Sequence, residues 1–302
     1  MKKKARGWTL ARQEEMLGYM LILPFAVGFI LFQLAPFATS IAISFTNLSF
    51  ISNLKDIKFI GLDNFIQMFG DDKFTGSLWR TFYYVALFVP GIIIASLLCA
   101  MLINSRLWFR KTIRTAIFMP YVSNFVAIAV VWAIILDVRD GPVNAFLTSL
   151  GVSSPPLWLV GEHTVIPSIV LIVVWQNIGF FMLVFLAALQ NVPSELYEAA
   201  KIDGAGRFKR FWSITTPMVS PTTFLLMITA IITSFQNFGP IQVLTKGGPG
   251  QASTTLSINI YQETFLQYRM GYSTAQAIFM FLIILGITVV QWRGQKKWVN
   301  YS

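Results

Sequence analysis

Six stretches of this chain, residues 17–45, 81–104, 115–136, 164–190, 218–238 and 274–292, contain no Asp, Glu, Lys, Arg or His. The hydrocarbon core of a bilayer is about 30 Å thick and takes about 20 apolar residues of helix to cross. All six stretches are long enough. Hydrocarbon offers backbone N–H and C=O groups no partner, so each must close its own hydrogen bonds as a helix. Composition agrees: 55% of the 302 residues are hydrophobic and 12% charged, against about 25% charged in a soluble domain. The expectation is an all-α integral membrane protein of six spans, forming a single domain over 1–302. Pro24, Pro36, Pro90, Pro120 and Pro167 fall within the runs, where neighbouring helices satisfy the groups a proline frees. The first run is expected to begin as an interfacial helix or to bend at Pro24 or Pro36. It far exceeds the 7–15 apolar residues of a cleaved signal, so it reads as an uncleaved span.

Orientation follows from Lys and Arg in the connections. One side carries Lys2, Lys3, Lys4, Arg6 and Arg12, then Arg106, Arg110, Lys111 and Arg114, then Lys201, Arg207, Lys209 and Arg210, and finally Arg293, Lys296 and Lys297. The other carries Lys55, Lys58, Lys73, Arg80, Arg139, Lys246 and Arg269. The richer side is expected to be cytoplasmic, with both termini there. The net charge of +10 is thus mostly membrane bias, and no nucleic-acid partner is expected. The outward connections are 46–80, 137–163 and 239–273. In the first, Phe65, Ile66, Met68 and Phe69 are expected to line one face of a short surface helix. Cys99, the lone cysteine, lies mid-run and reads as packing.

The runs exclude several functions. Ion-coupled transporters and pumps place ionisable groups at membrane depth, and these runs hold none. His163 is the only histidine, without a partner cluster, so neither a metal nor a catalytic residue is expected. No phosphate-binding GxxxxGK[ST] loop is present; GGPGQAST at 247–254 lacks the lysine.

The polarity inside the runs is neutral. Gln176 and Asn177 lie in the fourth, and Ala230, Thr233, Ser234 and Asn237 fall at i, i+3, i+4 and i+7 in the fifth. Such groups facing lipid cost free energy, so they face other helices or a wet pathway; the residues alone leave the two open. With Phe180, Phe235 and Phe238 nearby, amides and hydroxyls suit a hydroxyl-rich solute, rings stacking on sugar C–H faces.

Between the fourth and fifth runs stands ELYEAAKIDGAGRFKRFWSITTPMVSP, 195–221. Pro193 fits a first helical turn, with Glu195 and Glu198 favouring its positive end. Leu196, Ala199 and Ala200 make a small apolar stripe suited to close docking. Asp203 is expected to cap a second helix, with Gly204 as the turn and Gly206 allowing close approach. Phe208, Phe211 and Trp212 are expected to pin that helix to the spans, and Pro217 and Pro221 to mark the bend into the fifth.

This stretch, EAA followed by DGA and later by an apolar residue and a proline, resembles the EAA loop of bacterial ABC importer permeases. LTKGGPG at 244–250 and GLDNF at 61–65 resemble stretches of the carbohydrate-importing branch. By type the chain is similar to the larger maltose permease, without its extra N-terminal spans and large periplasmic insertion, and more so to the six-span glycerol-phosphate and multiple-sugar permeases. The resemblance implies the type I ABC importer permease fold in a bacterial inner membrane, with a cytoplasmic coupling helix in the loop 191–221. It implies a second permease subunit, two cytoplasmic ATPase subunits that bind ATP and Mg, so that this chain holds no cofactor, and an extracytoplasmic solute-binding protein. ATPase coupling is expected from Glu198, Ala199, Ala200, Asp203, Gly204 and Ala205. Alignment with the maltose permease implies sugar contacts at Gln176, Asn177, Phe180, Ala230, Thr233, Ser234 and Asn237. Alternatives are a permease for another polar solute such as glycerol-phosphate, or a self-sufficient channel with the hairpin as a regulatory surface.

Overall fold

An apolar run in hydrocarbon has one way to satisfy its backbone, and this chain takes it nearly throughout. In a computed structural model, which describes residues 10–51, 53–105, 108–296 and 298–299, helix follows helix. Among the described residues the one strand-like pairing is an isolated bridge between Thr46 and Phe59. Lys2, Lys3, Lys4, Arg6, Arg106 and Lys297, counted above toward orientation, lie outside the described residues.

Four of the expected spans are continuous helices and two are bent pairs. The first joins α1 (Leu10–Phe29) to α2 (Ala35–Ser44) through a wide π-helical turn at Ile30–Leu34. No sharp bend occurs at Pro24 or Pro36. Instead the Ala35 N–H reaches back to Ile30 O, widening the helix just where the Pro36 ring would press on the preceding turn. α3 (Asp63–Phe69) follows, but its apolar residues do not share one face: Met68 is fully buried and Phe65 half-buried, while Ile66 and Phe69 are exposed. Asn64, in the GLDNF stretch, is buried and donates to Ser44 O (2.8 Å) and Thr46 O (2.9 Å), fastening the end of the first span.

α4 (Asp72–Asn104) opens well before residue 81 because Asp71 accepts the Lys73 N–H at 2.9 Å as an N-cap. Arg80, expected in a loop, is therefore helical. The third span is not one helix over 115–136. α5 (Arg110–Val122) and α6 (Phe125–Ile135) meet at 101°. Pro120 sits in the last turn of α5, Ser123 is extended, and Asn124 restarts the helix by accepting the Val126 N–H at 2.8 Å. α7 (Pro142–Ser149) leads to α8 (Val165–Gln190), close to the fourth expected span.

Next come α9 (Ser194–Ile202), α10 (Arg207–Arg210), a π-helical turn at Phe211–Thr215, α11 (Thr216–Met218) and α12 (Ser220–Phe235). The chain bends by 68° into α12, between Pro217 and Pro221 as their spacing predicts. Short helices α13 (Gly239–Leu244) and α14 (Leu256–Tyr261) precede the last span, α15 (Met270–Gln295).

The core is the pair α4 and α8. Tyr84, Phe88, Ile92 and Ile103 of α4 interlock with Ile169, Val173, Phe185 and Leu189 of α8, and Leu226 and Ala230 of α12 join them. α5 crosses α8 at Gly179, where an added Cβ would lie 2.5 Å from Ile117 O and 2.6 Å from Phe118 Cα. Only a residue without a side chain admits that crossing. None of the first span's most apolar window is buried inside the chain; its second half, α2, packs on α15, with Phe37 edge-on to Phe281 at 5.4 Å.

Candidate functional site

Where α8, α12 and the α5–α6 break converge, a cavity of about 430 Å³ opens. Gln176, Asn177 and Phe180 of α8 line it with Thr229, Thr233 and Ser234 of α12, then Asn237, Phe88 of α4, and Tyr121 and Phe125 beside the break. No charged side chain is among its lining residues.

Six of the seven residues expected to contact solute lie here. Ala230 does not: it is fully buried in the central core. α12 turns Thr229, Thr233 and Ser234 to the cavity, so the expected line holds at Thr233 and Ser234, with Thr229 in place of Ala230 at its start. α12 also ends at Phe235, so Asn237 reaches the cavity from the turn that follows. Nor do Phe235 and Phe238 offer rings here. Phe235 is buried edge-on to Phe82 at 5.6 Å, and Phe238 packs on Tyr261 at 4.9 Å. Phe180 instead stacks on Tyr121, ring centres 5.2 Å apart.

The hydroxyl protons are spent on the helix. Thr229 donates to Leu225 O (2.9 Å), Thr233 to Thr229 O (2.8 Å) and Ser234 to Ile231 O (2.8 Å), so each oxygen keeps acceptor capacity. Asn177 donates to Val173 O at 2.8 Å, and Asn237 donates to the Tyr84 hydroxyl. Both amides retain an unused oxygen. The Gln176 amide makes no hydrogen bond among the described residues and is free in both senses. The arrangement offers fixed acceptors, one free amide and two stacked rings. Tyr84 and Tyr121 escape sequence reasoning because a phenol in an apolar run gives no sign of which way it faces.

At the hairpin, α9 ends by a glycine-based cap. Gly204 takes φ +74°, its N–H bonds Lys201 O at 3.0 Å, and Ala205 N–H bonds Ala200 O at 2.8 Å. Asp203 therefore closes α9 and does not open a second helix; Gly206 precedes α10. Pro193 lies just outside the first turn, with Ser194 as the first helical residue. Gly206 makes no close approach, since an added Cβ there would meet nothing within 4 Å. Phe208 and Trp212 do not pin α10 to the spans either; both are exposed and pack on each other. The joint is fastened by Tyr197 OH and Thr215 Oγ1, 3.0 Å apart. Glu195, Glu198, Ala199 and Ile202 all stand exposed along α9, with Asp203 and Gly204 exposed at its end and Ala200 and Ala205 half-buried. Ile202, absent from the expected stripe, is 86% exposed.

His163 and Glu162 lie exposed near Arg80 in a separate surface cavity. Among the described residues no three His, Cys, Asp or Glu side chains gather as metal ligands.

Residues 71–293 match the family described as binding-protein-dependent transport system inner membrane component. The chain is 36% identical over 304 residues to the probable ABC transporter permease protein YesP of Bacillus subtilis, covering 99% of this chain and 96% of that one. It is 32% identical to the sulfoquinovosyl glycerol transport system permease protein SmoG of Agrobacterium fabrum, covering 97% and 95%. It is 37% identical to the sn-glycerol-3-phosphate transport system permease protein UgpA of Yersinia pestis, covering 81% and 83%. In fold it is similar to a chain of the bacterial alginate ABC transporter crystallised with an alginate pentasaccharide-bound periplasmic protein, with a TM-score of 0.82 at 24% identity over 94% and 96% of the chains. With its continuous and bent apolar helices in the type I ABC importer permease fold, the chain belongs to the family of inner membrane components of binding-protein-dependent transport systems, the permeases of ABC importers.

Proposed function

We propose that this permease passes a carbohydrate from an extracytoplasmic binding protein to the cell interior, and that residues 1–302 act as one translocating domain. The observation that carries the reading is the uncharged cavity between α8, α12 and the α5–α6 break. Its acceptors, free Gln176 amide and stacked Tyr121–Phe180 rings match a pyranose, which presents hydroxyls at its rim and C–H groups on its faces. Gln176, Asn177, Phe180, Thr233, Ser234 and Asn237 are the contacts, and Ala230 backs them from the core. SmoG, named for a sulfoquinovosyl glycerol, and the alginate-linked neighbour support a glycosidic ligand. UgpA, named for glycerol-3-phosphate, raises a phosphate ester, but the cavity has no cation to meet one.

Energy comes from ATP hydrolysed, with Mg, on two separate ATPase subunits. α9 is the coupling helix that an ATPase grips. Glu198 is the charged contact, Ala199 and Ala200 the close fit, and Asp203, Gly204 and Ala205 the rigid joint. A second permease subunit completes the pathway. Both termini and the hairpin are cytoplasmic, as the Lys and Arg distribution supports.

The test is uptake of labelled sugars by the assembled transporter carrying Gln176→Leu. Losing the free amide removes about 1–2 kcal/mol of hydrogen bonding in a desolvated site, so uptake at low solute should fall roughly tenfold with assembly intact. Unchanged sugar uptake, or uptake of glycerol-3-phosphate alone, refutes the reading.

A further inference from the structure

A second cavity, of about 650 Å³, lies beneath the hairpin, where α9 and α10 meet the ends of α4 and α8. Lys201, Arg207 and Arg210 line it together with Tyr197 and Thr215. No carboxylate is among its lining residues. Among the described residues no ion pair joins Lys201, Arg207 or Arg210 to Glu195, Glu198 or Asp203 on the same hairpin. Arg210 is half-buried, and its Nε is out of reach of water with no acceptor. A buried guanidinium donor without a partner is costly, and three cations around one hollow repel each other. Both costs vanish if an anion sits between them.

We infer that this cavity binds a phosphate-bearing anion. Lys201 and Arg207 at the mouth and Arg210 deeper inside carry the charge. Arginine's planar fork suits phosphate oxygens, and the Tyr197–Thr215 hydroxyl pair supplies a neutral donor at the wall. The apolar floor at Met101 and Leu189 lies at the ends of the spans, the depth at which a phospholipid headgroup meets its chains. A soluble phosphate ester offers the same chemistry. Either occupant ties the hairpin to α4 and α8. The inference does not depend on what the central cavity carries, and its test reads binding rather than transport.

The full-length protein is placed in nanodiscs of phosphatidylcholine with increasing phosphatidylglycerol, and retained lipid is counted by native mass spectrometry. In parallel, inorganic phosphate is titrated while thermal stability is followed. Saturable binding is expected, about tenfold weaker in Arg210→Gln and Lys201→Gln, each of which removes a charge-assisted contact. Lys209→Gln removes the same charge from an exposed position outside the cavity and should change binding less than about twofold, the level of a screened surface charge. Saturation by phosphatidylglycerol alone assigns a headgroup; saturation by phosphate as well assigns a soluble ester. If Arg210→Gln fails to fold, the exposed Arg207→Gln gives the same reading. The inference is overturned if neither probe saturates or if Lys209→Gln weakens binding equally. It also fails if the cavity variants weaken only association with an ATPase subunit, since the cations then serve a protein contact.

Discussion

Replacing Gly179 with alanine tests the crossing of α5 over α8. The new Cβ would stand 2.5 Å from Ile117 O and 2.6 Å from Phe118 Cα, where ordinary contact begins at 3.4 Å. Both obstructing atoms are backbone, so no side chain can turn aside, and α5 must retreat by about 1 Å. Overpacking of this kind costs about 1–3 kcal/mol, which corresponds to a fall in Tm of roughly 2–12 °C for a chain of this class. The displacement also separates Tyr121 from Phe180, next to the substituted position. Gly286→Ala in α15 is the internal control. An added Cβ there meets nothing within 4 Å, and alanine favours the helix by up to about 1 kcal/mol. Thermal unfolding of the purified protein in one detergent should therefore move in opposite directions for two chemically identical substitutions. A Gly179→Ala variant as stable as the native chain would refute the close crossing and the cavity wall built on it.

Two further outcomes follow. Gly204→Val places a β-branched residue at φ +74°, costing about 1–2 kcal/mol locally, and should abolish substrate-stimulated ATP hydrolysis by the assembled transporter while the chain still inserts; unaltered hydrolysis would remove α9 from the coupling role. Burial raises the Glu263 carboxyl above its ordinary value of 4.5, with Arg269 opposing the shift. A raised folded-state pKa contributes stability that is present below 4.5 and lost as pH rises through the raised value, so Glu263→Gln should gain Tm relative to the native chain as pH rises above 4.5; a difference independent of pH would contradict that burial.

The spans were legible because charge exclusion over some twenty residues has one physical solution. The breaks were less so. Pro217 and Pro221 bracket a real bend, but Pro120 announces the third only in hindsight, since the restart depends on Asn124 acting as a cap, a role its residue type permits without requiring. For the cavity, Thr233, Ser234 and Asn237 of the sequence pattern line the wall, and only its first position fails: Thr229 lines the cavity while Ala230 packs in the core. Asp203 erred for a related reason. A good N-cap beside a glycine also makes a good helix end, and Gly204 decides between them by its left-handed backbone.

The 101° angle between α5 and α6 has a consequence for how the protein is made. These helices hold 13 and 11 residues, about 20 and 17 Å at 1.5 Å per residue, and neither alone crosses a 30 Å core. A ribosome-bound insertion machine can accept them only as one oily segment, before Asn124 has separated them. Hydrophobicity must therefore commit this region to the bilayer first, and the fold creases it afterwards, once partners such as α8 are present to shelter the freed peptide groups.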